Sequence, residues 1–148
     1  MRTSEVGINL IKHFEGIHEK PYKCPAGYWT VGCGHLISRN AVLPNSWNRT
    51  LTPLEIDELL GQDLLRFEAG LSSMLPNVLL TQNQFDALVS FCFNLGMGTF
   101  QRSTVRSALL RNDQKRAIAV LLKYCRAGGK ILTGLQRRRK AEADLFFS

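Results

Sequence analysis

What this sequence lacks narrows it first. No apolar run approaches the ~20 residues that span a bilayer, so no transmembrane helix is expected. Met1-Arg2-Thr3-Ser4-Glu5-Val6 has neither the basic start nor the apolar core of a secretory leader, so the chain is expected to stay in a cytoplasm. There is no internal repeat and no low-complexity segment. The four cysteines, at 24, 33, 92 and 125, form no CxxC pair and no Cys/His cluster at zinc spacing, and no metal or organic cofactor is implied. Cys92 and Cys125 read as reduced core thiols on apolar helix faces; Cys33 is more ambiguous. Acid is scarce in one stretch: residues 101–140 hold twelve of the nineteen Lys and Arg against a single acid, Asp113. A basic region of that kind faces either water or a polyanion. No helix-turn-helix or RNA-recognition signature accompanies it, which argues against nucleic acid.

What is present centres on residues 11–35. Val6, Leu10 and Phe14 recur every four residues, with Ile11 broadening the stripe, and predict a helix from about Thr3 to Glu15 capped by Thr3 or Ser4. Gly16 suits the position past a helix end, where positive φ is wanted. Pro25-Ala26-Gly27 predicts a turn between strands at Lys20–Cys24 and Tyr28–Val31, the second rich in aromatic and β-branched residues. Glu15, Cys24 and Thr30 then converge from a helix end and two strands. The negative end of the helix dipole disfavours a bare carboxylate at Glu15, which is the bias a general acid needs.

The remainder reads as helical after a loop at Ser38–Arg49. Thr52-Pro53-Leu54-Glu55 is a start signal for a helix of about five turns bearing Leu54, Leu59, Leu60, Leu64, Phe67 and Leu71. Thr81 to Gln84 repeats the capping pattern and opens a helix that is apolar most of the way round. Gly96-Met97-Gly98 breaks it. A short helix follows Ser103-Thr104, another runs from about Asp113 to Arg126, and a last one from Leu135 to Phe147.

Together these residues resemble the phage-type lysozymes, or endolysins, of glycoside hydrolase family 24. The family pattern is a glutamate, eight residues, an aspartate, five residues and a threonine; Glu15, Cys24 and Thr30 keep that spacing. Phe14, Gly16, Tyr22, Gly27, Trp29, Val31, Gly32, Gly34 and His35 match its surroundings. Gln84–Leu88, Phe93–Gly96, Ser103-Thr104 and Gly134–Arg139 with Glu142 match later blocks. The resemblance implies an α+β, mainly α fold: one catalytic domain over 1–148, with a small hairpin lobe at about 1–60, a helical lobe at about 72–148, and a long helix joining them. It implies cleavage of peptidoglycan between N-acetylmuramic acid and N-acetylglucosamine, in a groove between the lobes. Glu15 maps to the general acid and Arg138, or Arg137, to its basic partner. Leu36, Phe93, Asn94 and Ser103 map to glycan contacts, and His35 with Asp63 to a structural ion pair. A monomer is implied. It would wait in the host cytoplasm until a holin-type lesion gave access to the wall, its basic lobe suited to anionic wall polymers or outer-membrane lipid.

Cys24 departs from the family aspartate. Inverting glycosidases place base and acid ~6.5–9.5 Å apart to admit the attacking water. A thiol, with a reference pKa of ~8.5, is mostly neutral at pH 7 unless its surroundings, such as Lys23, lower it. Cys24 then acts as a thiolate base or water acceptor beside Thr30, or as a nucleophile, disfavoured because a thioglycoside hydrolyses slowly. Otherwise the substrate's own hydroxyl attacks, making a lytic transglycosylase. A non-catalytic peptidoglycan binder is the rival from another class, and a masking Cys24–Cys33 disulfide is a weaker regulatory idea.

Overall fold

The computed structural model describes residues 1–148, and the chain divides into two compact units, Ile11–Leu65 and Met1–Leu10 with Arg66–Ser148. The architecture is mixed α+β and mainly helical, as the sequence predicts. Helix α1 (Glu5–Glu15) begins in the larger unit and ends in the smaller one; α2 (Pro53–Met74) likewise contributes to both.

In the smaller unit, α1 ends at Glu15, and Gly16 takes φ +77°, the left-handed cap that glycine adopts without strain. Strands β1 (His18–Lys23), β2 (Trp29–Gly32) and β3 (His35–Ser38) form an antiparallel sheet in that order. The third strand is an addition, because the expected loop starts at Ser38 and no strand is predicted for the residues just before it. His-Leu-Ile-Ser is too short to show strand periodicity, and it is held by pairing of Val31 with His35 and Thr30 with Leu36. Ile11, Val31, Leu51, Ile56, Leu60 and Leu64 build the core of this unit. Two ion pairs fasten α2 here: Lys12 to Asp57 at 2.6 Å, and His35 to Asp63 at 2.8 Å. The second is the pair the family resemblance implies.

The larger unit is helical: α3 (Gln82–Leu95), α4 (Met97–Gln101), α5 (Thr104–Leu110), α6 (Gln114–Leu121) and α7 (Thr133–Phe146). Thr81 and Gln84 form the reciprocal capping box that opens α3, and every residue from Phe85 to Cys92 is buried. The first ten residues read as part of the hairpin lobe but group with this unit. The cause is polar: the Thr3 amide and hydroxyl both donate to Glu68 Oε2 at 2.6 Å, and the Ser4 amide and hydroxyl donate to buried Asp86. The Ser4 hydroxyl therefore donates its hydrogen bond to a side chain of α3.

Other boundaries move for local reasons. Leu54 is 68% exposed, and Ile56 takes the core position expected of it. Helix α6 stops at Leu121, so Cys125 is buried just past the helix instead of on it. Gly128-Gly129 turns a small hairpin, β4 (Arg126–Ala127) with β5 (Lys130–Ile131), rather than merely ending a helix. The basic α7 is only partly a solvated face. Arg138 and Arg139 are buried against Glu142, Arg139 Nε standing 2.6 Å from Glu142 Oε1 and the Ser90 hydroxyl donating to Oε2 at 2.6 Å. The aliphatic stems pack inward and the charges neutralise one another.

Candidate active site

The hairpin sets the site by register. Tyr22 pairs with Thr30 and Lys23 with Trp29, so alternation puts Tyr22, Cys24, Tyr28 and Thr30 on one face and Lys23 and Trp29 on the other. The turn closes through Cys24 N–H to the Tyr28 carbonyl at 2.9 Å and Gly27 N–H to the Cys24 carbonyl at 2.8 Å. Gly27 sits at φ +83°, a conformation that favours glycine, and amides of this turn bond to the Cys24 side chain.

Those amides change the cysteine. The Cys24 thiol is lowered below its ordinary value, first by the Tyr28 amide, with Ala26, the Thr30 hydroxyl and Gly27 adding to it against a smaller opposing effect of burial. Hydrogen bonds to a charged form favour that form. The sequence expectation looked to Lys23 for this effect; Lys23 instead lies on the far face, its ammonium 5.5 Å from the centre of the Trp29 ring. Thr30 is buried, and its one hydroxyl proton also reaches the Tyr28 carbonyl at 3.0 Å. It has a choice of two acceptors, and ionised sulfur competes for it.

Tyr22 is the residue the sequence reading used only as a family marker. Its phenol is raised above the ordinary value by burial first, then by the negative charges of Cys24, Glu15 and Cys33. A phenol ringed by acidic groups keeps its proton and acts as a donor. The signal was available in principle: Tyr22 lies two residues before Cys24, hence on its face of the strand. His18 stacks on its ring at 4.1 Å between centroids.

Glu15, Cys24, Thr30 and Leu36 all belong to the Ile11–Leu65 unit, and Leu36 is the register partner of Thr30. Leu36 is exposed. Phe93, Asn94, Ser103 and Arg138 belong to the other unit. There the Phe93 ring meets that of Phe67 at a tilt of 51°, with centroids 5.3 Å apart, and the Asn94 side-chain oxygen is buried with no hydrogen-bond partner within the protein. Ser103 is the buried N-cap of α5, its hydroxyl donating to the Phe100 carbonyl and accepting from Arg106 N–H. Arg138 donates to the Ser90 carbonyl at 3.1 Å as well as pairing with Glu142.

The Cys24–Cys33 disulfide does not fit this geometry. Tyr28 lies across from Cys24, and Gly32, just before Cys33, is four strand residues further on, roughly 13 Å at the usual strand rise. Bridged cysteines need Cα atoms within ~7 Å. All four cysteines are free thiols; Cys33 is buried and raised by that burial. No helix is long and apolar enough to cross a membrane.

The chain is similar to known proteins over nearly its whole length. The phage lysozyme family model matches residues 12–142. The endolysin of Salmonella phage P22 is 39% identical over 151 residues, an alignment that covers 100% of this chain and 99% of that protein. The endolysin of Bacillus phage B103 is also 39% identical, but the chain spans only 55% of its length. Among solved structures, the muramidase domain of SpmX from Asticaccaulis excentricus superposes with a TM-score of 0.87 at 34% identity, covering 99% of this chain and 98% of that one. A family model spanning most of the sequence, and relatives matched end to end, place this chain in the phage lysozyme family.

Proposed function

We propose that this protein is an endolysin-type muramidase that hydrolyses the β-1,4 bond between N-acetylmuramic acid and N-acetylglucosamine in peptidoglycan, leading to lysis of a bacterial host. The observation that carries the reading is the thiol of Cys24, held toward its ionised form by three turn amides and Thr30. It shares a strand face with Tyr22, whose phenol feels the charges of both Cys24 and Glu15. A glutamate and an acceptor biased toward ionisation in one site correspond to the two groups that inverting glycoside hydrolysis uses.

In this scheme Glu15 gives its proton to the bridging oxygen as the bond from that oxygen to the anomeric carbon breaks. A water held by Cys24 and Thr30 attacks the same carbon, its oxygen forming the new bond and its proton passing to the thiolate. Exchange with solvent returns both groups to their starting states. The turn amides stabilise sulfur before reaction and the Thr30 hydroxyl fixes the water, so neither must reorganise during the step. A thioglycoside intermediate is not needed.

Leu36, Phe93, Asn94, Ser103 and Arg138 are proposed to contact the glycan or position Glu15. The whole chain acts as one catalytic domain and a monomer, and needs a separate membrane lesion to reach the wall.

The test is mass spectrometry of products from purified peptidoglycan. Hydrolysis gives reducing muramic ends, and Glu15→Gln abolishes them with the fold intact. Anhydro-muramic ends would assign transglycosylation instead, and intact glycan with retained binding would leave a wall-binding module.

A further inference from the structure

The hairpin has a second face. Thr30 and its partners occupy one side of β2, and Trp29, the adjacent residue, points to the other. On that side the loop after β3 closes a cavity of about 360 Å³ walled by Trp29, Lys20, Asn48, Arg49 and Thr50. The volume lies within the ~300–1,000 Å³ range of small-molecule sites.

The chemistry of the walls is specific. The Trp29 indole N–H donates to the Ala41 carbonyl at 3.1 Å, so the ring is held as a fixed aromatic wall. Arg49 is committed to Glu55, its two terminal nitrogens meeting the carboxylate at 3.0 and 2.5 Å, and its charge is already neutralised. That fork uses two of five N–H groups and leaves donors available. Lys20 is exposed and makes no ion pair, and the Lys23 ammonium stands over the Trp29 ring. No acidic side chain lines the cavity. An aromatic wall, an amide, a hydroxyl and one ammonium group without an ion pair, with the Lys23 charge nearby on the Trp29 ring, suit a sugar ring that carries a carboxylate.

We propose that this cavity is a second glycan-binding site, on the face of the hairpin opposite Thr30, for an amino sugar bearing a free carboxylate. The muramic-acid unit of the wall is such a sugar, so the occupant rests on the peptidoglycan reading above. A second foothold on the same polymer raises residence on insoluble wall through effective concentration.

The experiment follows the Trp29 indole N–H by NMR, assigned with Trp29→Phe, in Glu15→Gln protein so that nothing is cleaved. The probe is the disaccharide of N-acetylglucosamine and N-acetylmuramic acid with its lactyl carboxylate free. The signal should shift saturably, and Lys20→Glu should weaken the apparent Kd by about tenfold, the weight of one charge-assisted hydrogen bond. Neutral di-N-acetylchitobiose should bind weaker by a similar factor. No indole shift at millimolar disaccharide, equal binding of chitobiose, an unchanged Kd in Lys20→Glu, or an equal shift with inorganic phosphate each overturns the proposal. The muramidase reading fails separately, on undiminished cleavage by Glu15→Gln.

Discussion

Tyr22 and Thr30 face each other across β1 and β2, and that pairing brings a phenol held in its neutral form alongside the hydroxyl that attends Cys24. A neutral phenol at this position donates a hydrogen bond to whichever acidic neighbour carries charge. Tyr22→Phe removes the donor and almost no volume. Its kcat on peptidoglycan should fall by at least about tenfold while the melting temperature stays near that of the parent, since lost preorganised donors cost ~10²–10³ in strong cases. Turbidity assays and thermal melts check the pair of outcomes. A fall in melting temperature without loss of kcat would make Tyr22 a packing residue.

The pH–rate profile should report Cys24. A base that works as a thiolate gains activity as pH rises through its pKa, and the turn amides put that rise below the ordinary thiol range. Cys24→Asp replaces the thiol by a group that ionises near ~3.9, so the rising limb should move to lower pH. Cys24→Ser has no ionisable group in range and should lose the limb together with most of the activity. Superimposable profiles for all three proteins would exclude Cys24 from proton transfer.

Alkylation offers a test without mutation. Thiolates react with iodoacetamide and thiols do not. Cys24 is partly exposed and lowered, whereas Cys33 and Cys92 are buried and raised by that burial. Peptide mapping should find the label on Cys24 first, and loss of activity should track that label. Protection by soluble glycan fragments would tie the thiol to the substrate.

Much of this arrangement was legible because short motifs carried it. The Gly16 cap, the Pro25-Ala26-Gly27 turn and the Thr81–Gln84 capping box are local, and each formed where its residues predict. What escaped was set by partners distant in sequence. Strand β3 exists because β2 lies beside it, and Thr3 and Ser4 are claimed by Glu68 and Asp86. The burial of Arg138 and Arg139 depends on Ser90, which comes from α3, and on Glu142, which lies three and four residues further along α7. The cause of the lowered Cys24 thiol was misassigned for a similar reason. Backbone amides leave no trace in a sequence, whereas Lys23 does.

Glu55 links stability to acid. Its carboxyl is lowered from 4.5 to about 2, first by the Arg49 guanidinium and then by the Thr52 backbone, which it caps at the start of α2. A folded-state pKa below the unfolded one stabilises at neutral pH, and the contribution is lost as pH falls from about 4.5 through about 2. Glu55→Gln should therefore lower the melting temperature at pH 7 and differ little from the parent near pH 2. Because the group is only half-buried, ~1 M salt should shrink the pH 7 difference.

The buried charges of α7 make the sharpest stability prediction. Glu142 is fully buried and raised by that burial against the opposing pull of Arg139, while burial lowers Arg139. Glu142 thus meets two guanidinium groups and the Ser90 hydroxyl, and removing it leaves the fully buried Arg139 guanidinium out of water without its carboxylate. Glu142→Gln should cost about 3–5 kcal/mol, the range for breaking a buried pair by deleting one partner. Replacing the anion and one cation together, as Glu142→Leu with Arg139→Met, should recover most of that loss, because apolar side chains of similar volume need no compensation there. Urea unfolding of the parent, both single variants and the double variant closes a thermodynamic cycle. A double variant no more stable than Glu142→Gln alone would mean that the hydrogen-bond geometry around Ser90, and not charge balance, holds α7 against α3.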